Sequence, residues 1–300
     1  MQGTVVGADS GIYTLVLDDG RRVEASLRGR LKMPSPKGDR IVIGDRVEVV
    51  EGQSGTVTIE ALLTRRSAVV RRSAKDRGAK VVAANVDRLF AVVAVEPSPR
   101  AQLVDRLLVV AEANAIPSVL VLNKMDLPGA AEVTSFLTAR YRALGYPVLA
   151  VSARAQLGLE GLRELLCDGT SALIGPSGVG KSTLLNAVEP GLQLRTGRVS
   201  RKHSSGRHTT VASRLIMLLC GGVVADTPGF SDVGLWDMEP AELDCCFPEL
   251  RELKGSCRFR GCAHIEEPDC AVRAAVEEGR IDQDRYKSYV ILRGEAEAAC

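Results

Sequence analysis

The chain has 300 residues, of which 45% are apolar and 25% charged, and its net charge is +2. This composition is ordinary for a globular protein and excludes a low-complexity chain, and no apolar run approaches the ~18 residues that span a bilayer. The N-terminus lacks the basic start and apolar centre of a signal peptide. We therefore expect a cytoplasmic protein that makes no membrane contact.

The first 65 residues have the pattern of short strands joined by turns. Five short strands in about sixty residues fit a small barrel of the OB type, which often binds oligonucleotides. An SH3-like barrel is the alternative. A basic connector is expected over residues 66–84. The candidate strands are Thr4–Ala8, Ile12–Leu17, Arg22–Leu27, Asp45–Val50 and Gly55–Leu62.

From about residue 85 the sequence alternates between apolar strands and helices. Leu89–Val95 is a continuous apolar run, typical of a buried parallel strand. The alternation predicts a doubly wound α/β domain over residues 85–234, followed by a helical domain over residues 235–300. The other candidate strands are Ser118–Leu122, Pro147–Ser152, Ser171–Ile174 and Val223–Asp226. The candidate helices are Gln102–Ala113, Glu132–Leu144, Leu159–Leu166 and one that begins at Lys181.

A phosphate-binding motif runs from Gly175 to Ser182 and matches G-x-x-x-x-G-K-[ST] in full. It follows a predicted strand and precedes a predicted helix, so backbone N–H groups and the helix N-terminus can converge on a phosphate. Lys181 is expected to reach the β- and γ-phosphates, and Ser182 to bind Mg²⁺.

A second phosphate-side motif follows the strand that ends at Asp226 and reads D-T-P-G. A carboxylate at the end of a buried strand is placed to hold Mg²⁺ through water, and the N–H of Gly229 can reach the γ-phosphate. D-x-x-G is weak alone but strong downstream of a P-loop.

A base-recognition motif, Asn123-Lys124-Met125-Asp126, follows the predicted strand that ends at Leu122. The Asp126 carboxylate can accept hydrogen bonds from N1–H and N2–H₂ of guanine, whereas adenine offers no matching donors. Lys124 would lie along the base, and Asn123 would tie neighbouring loops together. At the next strand end, Ser152-Ala153 follows, where the N–H of Ala153 can donate to guanine O6.

These motifs resemble those of the GTPase superfamily in a changed order, because N-K-x-D at residue 123 precedes the P-loop at residue 175. All of them follow strand ends, where sheets of this type bind ligands, so the site survives a circular permutation. The permuted order, the small barrel and a cysteine-rich tail together resemble the ribosome small subunit-dependent GTPase A family over nearly the whole chain. The resemblance implies a circularly permuted P-loop GTPase domain between an N-terminal OB-type barrel and a C-terminal helical zinc-binding domain.

The family's pattern includes the stretch from Gly206 to Thr210, which lies where switch I is expected. Thr210, with Thr209 as the alternative, would complete the Mg²⁺ shell. Many GTPases orient the attacking water with a Gln just after D-x-x-G, but this sequence has Phe230. We hypothesise that His208 orients or deprotonates water once a partner orders the loop; a plain surface histidine is the alternative.

Metal ligands are expected in the tail, where three of the eight cysteines and one histidine form the pattern C-x4-C-x-H-x5-C. Thiolates and imidazole suit tetrahedral Zn²⁺, and four protein ligands make a structural site. A disulfide framework is not expected in a cytosolic protein. The remaining cysteines are interpreted as buried or incidental thiols: Cys167, Cys220, Cys245, Cys246 and Cys300. The zinc ligands are Cys257, Cys262, His264 and Cys270.

The function that follows is a GTP hydrolase that binds the 30S ribosomal subunit and its 16S rRNA, assists late maturation, and turns over faster on the subunit. We expect a monomer with GTP or GDP, Mg²⁺ and one Zn²⁺. The alternative is an RNA-binding protein in which GTP is a conformational ligand with negligible turnover. RNA contact is favoured by residues 190–225, which have no acidic side chain but contain Arg195, Arg198, Arg201, Lys202, Arg207 and Arg214.

The expected site residues form three sets. The nucleotide would be bound by Asn123, Lys124, Asp126, Ser152, Ala153, Gly175, Pro176, Ser177, Gly178, Val179, Gly180, Lys181, Ser182, Thr183, Thr209, Thr210, Asp226 and Gly229. Mg²⁺ would be held by Ser182, Thr210 and Asp226. Catalysis would involve His208, Lys181 and Thr210.

Overall fold

The structure is a computed structural model that describes residues 1–9, 11–27, 40–52, 55–72, 79–194, 213–227 and 239–299. Within these residues no helix is both long and apolar enough to cross a bilayer. Several residues expected to act at the site lie outside the described residues: His208, Thr209, Thr210 and Gly229.

The N-terminal part is a closed five-stranded barrel. Strand β1 pairs antiparallel with β2 and β4, β2 pairs with β3, and β5 lies parallel to β3 and antiparallel to β4. This connectivity confirms the OB-type barrel. Alternate side chains, such as Leu15, Val47 and Ile59, fill its interior. The strands are β1 Gln2–Asp9, β2 Ile12–Leu17, β3 Arg22–Leu27, β4 Arg46–Glu51 and β5 Val57–Leu62.

The segment expected to be a basic connector contains a two-stranded antiparallel ribbon. Its strands are β6 Ala68–Arg72 and β7 Ala79–Ala84. Val69 and Ala83 are buried in the core of the following α/β layer. The ribbon is therefore packed onto that layer by its apolar residues. The charged residues of the same segment made it look like a connector in the sequence.

The central sheet is doubly wound, which confirms the predicted α/β class. Its order is β10-β9-β8-β11-β13-β12, with every pair parallel except β12–β13. The strands are β8 Arg88–Ala94, β9 Ser118–Asn123, β10 Val148–Ala150, β11 Thr170–Ile174, β12 Ser213–Met217 and β13 Val223–Asp226. The helices are α1 Ala101–Ala113, α2 Ala130–Arg142, α3 Leu159–Cys167 and α4 Lys181–Val188.

Strand β8 shows why a continuous apolar run forms a central strand. Leu89 and Val93 point into the core shared with α1 and α2, while Phe90 and Val92 point into the core shared with α3 and α4. All four side chains are at most 1% exposed. Helices therefore cover both faces of the sheet, and the loops at its carboxyl edge are left to form a site.

The barrel and the central sheet are hydrogen-bonded into one eleven-stranded sheet. Barrel strand β1 pairs antiparallel with β12, so that Gly7 lies opposite Arg214 and Ala8 opposite Ser213. Strand β12 was not predicted from the sequence, because only one of its five residues, Ile216, is buried, and the others are exposed or half-buried. The strand that leads from the expected switch I to β13 is thus also a neighbour of the barrel.

Cys167 and Cys220 form a disulfide, so interpreting these two as thiols was wrong. Cys167 ends α3, and Cys220 lies in the turn between β12 and β13. The turn can pack closely on the helix end because Gly222 has no side chain. A Cβ at this position would overlap the carbonyl of Leu166. The two cysteines are 53 residues apart, so only the folded sheet brings them together.

The C-terminal helices pack on α1. They are α5 Pro248–Arg251, α6 Ala271–Glu277 and α7 Gln283–Ala299, preceded by a 3-10 helix at Pro240–Cys246. The Arg285 side chain of α7 is 1% exposed and pairs with Asp105 of α1 at 2.7 Å and with Glu249 of α5 at 2.7 Å. Breaking one partner of such a buried pair leaves a buried charge unpaired, so this cluster fixes the tail against the α/β layer.

Candidate functional site: a guanine-nucleotide pocket and a metal cluster

The P-loop lies between β11 and α4, as its sequence predicts. Gly175 has φ +147° and Gly180 has φ +94°, which are backbone conformations that residues with a side chain rarely adopt. A Cβ on Gly175 would overlap the carbonyl of Val92, and a Cβ on Gly180 would lie 2.5 Å from Nδ2 of Asn123. The glycines therefore let the P-loop pack closely on β8 and on Asn123, and α4 starts directly after the loop, at Lys181.

Lys181 is held over the loop by two backbone carbonyls. Its Nζ donates to the carbonyl oxygen of Gly175 at 2.6 Å and to that of Pro176 at 3.1 Å. Burial lowers the pKa of Lys181 to about 8. An ammonium at this point can exchange neutral carbonyl partners for phosphate oxygens, which bind the charged form more strongly.

This pKa predicts that nucleotide binding weakens in mild alkali. A bound diphosphate would raise the pKa of Lys181, so above pH 8 binding must be accompanied by proton uptake. From a free-state pKa of about 8, the Kd for GDP is expected to rise about tenfold between pH 7 and pH 9. Equilibrium titration with a fluorescent GDP analogue measures this rise.

The matched control is Lys181→Arg, whose guanidinium keeps its proton across this range. Whatever its absolute affinity, this variant is expected to show a flatter pH profile. A wild-type Kd that stays constant from pH 7 to pH 9 would contradict the assignment of Lys181 to the phosphates.

Asn123 joins the base-recognition loop to the P-loop. It is 2% exposed, and its Nδ2 donates to the carbonyl oxygen of Val179 at 2.8 Å, while its Oδ1 accepts from the N–H of Ala153 at 3.2 Å. Residues from three separate stretches of the chain are thereby brought to one edge of the sheet. The permuted order does not separate the motifs in space.

Ser152 orients the carboxylate expected to read guanine. Its hydroxyl donates to Oδ1 of Asp126 at 2.6 Å, which lowers the pKa of Asp126 below its ordinary value. The same oxygen of Ser152 accepts from the N–H of Ala155 at 3.0 Å. Ser152 was expected at the nucleotide from its sequence position, but this contact was missed, since only the folded loops reveal it.

Lys124 and Asp226 stand at the ends of two further strands on the same edge of the sheet, Lys124 directly after β9 and Asp226 at the end of β13. The Nζ of Lys124 donates to the carbonyl oxygen of Glu96 at 2.6 Å. Asp226 ends β13, and its Oδ2 lies 3.4 Å from Nε of Arg214, a contact that the sequence did not reveal. Ser182 stands in the first turn of α4, half-buried beside Lys181.

The four expected metal ligands come together in the C-terminal part. Their ligand atoms all lie within 4.8 Å of one another. His264 Nδ1 is 3.5 Å from Sγ of Cys257 and 3.4 Å from Sγ of Cys270, and these two sulfurs are 3.9 Å apart. Ligands about 2.3 Å from a tetrahedral Zn²⁺ would be roughly 3.8 Å from each other, so the cluster fits that ion.

Aromatic side chains fix the loop that carries these ligands. Tyr289 donates to the carbonyl oxygen of Ala263 at 2.8 Å, and Tyr286 donates to that of His264 at 2.7 Å. The Nε2 of His264 faces Oδ2 of Asp244 at 3.7 Å. A carboxylate behind a ligating imidazole holds the ring in the orientation that a metal requires. Cys245 and Cys246 lie outside the cluster as free thiols.

Comparison with known proteins agrees with this architecture. The family model described as RsgA GTPase matches residues 62–236. The small ribosomal subunit biogenesis GTPase RsgA of Gemmatimonas aurantiaca is 44% identical over 297 residues, covering 98% of this chain and 96% of that protein. The protein of the same name from Thermotoga petrophila is 40% identical, covering 96% of this chain and 94% of that protein.

Two solved structures have the same fold. The crystal structure of YjeQ from Thermotoga maritima matches with a TM-score of 0.80 at 36% identity and covers 98% of both chains. YloQ, described as a circularly permuted GTPase, matches with a TM-score of 0.76 at 31% identity, covering 100% of this chain and 96% of that chain. Since the family match spans more than half of the sequence and the relatives align over nearly all of it, the chain belongs to the RsgA GTPase family and is a circularly permuted GTPase.

Proposed function

We propose that this GTPase binds the small ribosomal subunit during late maturation and hydrolyses GTP there. The relatives carry the name small ribosomal subunit biogenesis GTPase, and they align over nearly the whole chain. Nucleotide binding is supported by two hydrogen bonds of Asn123. One joins it to Val179 of the P-loop and the other to Ala153, in the loop after β10. A guanine nucleotide held at its base and at its phosphates fits this junction.

In the proposed pocket, Asp126 accepts from N1–H and N2–H₂ of guanine while the N–H of Ala153 donates to O6. The backbone N–H groups from Gly178 to Ser182 surround the phosphates at the N-terminus of α4, where the helix dipole favours anions. Lys181 exchanges its two loop carbonyls for phosphate oxygens. These contacts hold GTP in place, so catalysis then depends on positioning water and balancing the charge that develops.

Magnesium would be held by the hydroxyl of Ser182, by Asp226 through water and by Thr210. This is an oxygen donor set, as Mg²⁺ prefers. When bound, the ion supplies neutralisation of the phosphate charge. The role of this chain is to present the Asp226 carboxylate at the end of β13, with 46% of its side chain exposed.

We assign the orientation of the attacking water to His208, because Phe230 cannot accept a hydrogen bond from water. Binding to the subunit would bring His208 to the γ-phosphate and so link recognition to turnover. His208→Ala is expected to keep the affinity for GDP and to lose about 100-fold of the stimulated turnover. An unchanged stimulated rate would remove His208 from the mechanism.

The cysteine–histidine cluster is proposed to hold one structural Zn²⁺. Its four ligands leave no open position for a substrate. The loop between Cys257 and Cys262 also exposes a basic and aromatic surface that sequence charge alone did not single out. Phe259 is 46% exposed and lies between Arg258 and Arg260. Arginines for phosphates and an aromatic ring for stacking suit a single-stranded or looped RNA.

We propose 16S rRNA as the contacted part of the subunit. Three stretches of the chain have the chemistry for RNA: the sequence between positions 190 and 225 with its basic residues, the zinc loop and the OB-type barrel. The protein is proposed to act in the cytoplasm without membrane contact, since its relatives are named for ribosome biogenesis, and to act as a monomer, since the nucleotide motifs and the RNA-binding stretches all belong to one chain.

The test is GTP turnover with and without purified small subunits, with large subunits as the matched control. Small subunits are expected to raise turnover about tenfold or more, since completing a GTPase site has effects of this size and larger. Equal turnover with both subunits, or none with either, would overturn the proposal. The second outcome would favour an RNA-binding protein that uses GTP as a conformational ligand.

A further inference from the structure

Arg214 stands at a point where three strands meet. Strand β12 pairs on one edge with barrel strand β1, where Gly7 lies opposite Arg214, and on the other edge with β13, where Asp226 lies opposite Arg214. Pairing on both edges fixes the register of β12. Residues directly opposite each other in a sheet present their side chains on the same face, so Arg214 is held beside the Asp226 carboxylate.

The two side chains form an ion pair. Nε of Arg214 is 3.4 Å from Oδ2 of Asp226, and the side chains are 57% and 46% exposed. Since both groups remain in contact with solvent, the pair is weak and reversible. Asp226 is nevertheless the carboxylate that ends the strand on the phosphate side of the pocket, so its partner matters more than most surface partners.

We infer that Arg214 competes with Mg²⁺ for Asp226. This inference rests on the proposed magnesium role of Asp226 and adds a regulating residue to it. The guanidinium and the hydrated ion are both cationic groups that would donate hydrogen bonds to this one carboxylate, so occupation by Arg214 opposes occupation by the ion. Magnesium-dependent loading of nucleotide must therefore displace Arg214, which lowers the affinity gain that Mg²⁺ provides.

The measurable quantity is the magnesium enhancement, the Kd for GDP in EDTA divided by the Kd in saturating Mg²⁺ at constant ionic strength. Removing the positive charge of Arg214 also changes both constants through the phosphates, and this effect is larger for free GDP, which carries more negative charge than its magnesium complex. The same substitution in an Asp226→Asn background measures that effect, because no carboxylate remains there for the arginine to occupy. The part of the rise that reports competition is the difference between the two backgrounds. For Arg214→Gln the enhancement is expected to rise about two- to fivefold, the range available to an exposed ion pair. Arg214→Lys, which keeps a cation beside Asp226, is expected to stay near the wild-type ratio.

Two further variants complete the test. Arg22→Gln removes an exposed arginine of the barrel that lines the same cleft as Arg214, and it is expected to leave the enhancement unchanged. Asp226→Asn is expected to lower the enhancement without abolishing it, because Ser182 and the phosphates can still bind the ion. An Arg214→Gln ratio equal to or below the wild-type ratio, with Asp226→Asn still lowering it, overturns the competition alone. An Asp226→Asn ratio equal to wild type overturns the magnesium role of Asp226 itself.

Discussion

Asp126→Asn is expected to weaken GTP binding by about 100-fold or more, because the two donors on one edge of guanine lose a charged acceptor. An amide in this place presents one acceptor and one donor. Its NH₂ group would face the N2–H₂ group of guanine, donor against donor. Competition titration against a fluorescent GDP analogue measures the loss.

The control for this substitution is a change of base. Xanthine has a carbonyl oxygen where guanine has its amino group, so the amide that Asp126→Asn introduces could donate to it and accept from N1–H. Xanthosine triphosphate should therefore bind the variant better than GTP does. The Ser152 hydroxyl, which donates to Oδ1 of Asp126 at 2.6 Å, can donate equally to an amide oxygen, so the loop keeps its shape. Equal GTP affinity in variant and wild type would remove Asp126 from base recognition.

Cys257→Ser is expected to abolish stoichiometric zinc binding and to unfold the segment around α6. Apparent binding free energies of roughly 10 kcal/mol or more are coupled to folding in small zinc modules, and the loop from Cys257 to Cys270 has few apolar residues of its own. Zinc content by colorimetric chelation and the protease sensitivity of residues 239–299 measure the two effects. Extraction of the metal from wild-type protein by a strong chelator should reproduce both.

Cys245→Ser is the matched control for the zinc substitution. This thiol lies in the same part of the fold but outside the four-ligand cluster, so the variant should keep one zinc and wild-type protease resistance. GDP binding should persist in both variants, since the proposed nucleotide pocket lies on β9, β11 and α4, away from the cluster. Full zinc retention by Cys257→Ser would show that the cluster does not hold the metal.

Much of the fold could be predicted because its signals are local. The apolar run at Leu89–Val95 has side chains buried on both faces of the sheet, and the P-loop glycines mark the turn between β11 and α4. Several strand and helix ends differ from prediction by a residue or two, as at α2, which runs from Ala130 to Arg142. Terminal residues depend on capping contacts that a periodic pattern does not contain.

The features that were missed depend on pairing across the fold. Strand β12 has one edge against the barrel and the other against β13, so its half-exposed pattern makes sense only with both neighbours present. The ribbon of β6 and β7 was predicted to be a connector because basic residues interrupt its short apolar stretches. The disulfide between Cys167 and Cys220 was not predicted, because the prediction rested on the expected redox compartment. That argument contains no information about which cysteines the fold brings into contact.

The site could be predicted to the level of residue types but not of contacts. The motifs assigned Asp126, Lys181 and the zinc ligands by spacing, and the structure places the nucleotide motifs at one sheet edge. The hydrogen bond from Ser152 to Asp126 and the ion pair of Arg214 with Asp226 are long-range contacts that no motif encodes. Both contacts involve carboxylates that the motifs had already identified, Asp126 and Asp226. They change the hydrogen bonding of these groups but not the predicted location of the site.

The most direct test of the permuted site is a crystal structure with Mg²⁺ and a non-hydrolysable GTP analogue. The expected result is one nucleotide, with the Asp126 carboxylate within hydrogen-bonding distance of guanine N1 and N2 and the Lys181 Nζ on the β- and γ-phosphate oxygens. A nucleotide whose base lies away from Asp126 while its phosphates contact Lys181 would contradict the account, as would phosphates bound outside the loop from Gly175 to Ser182.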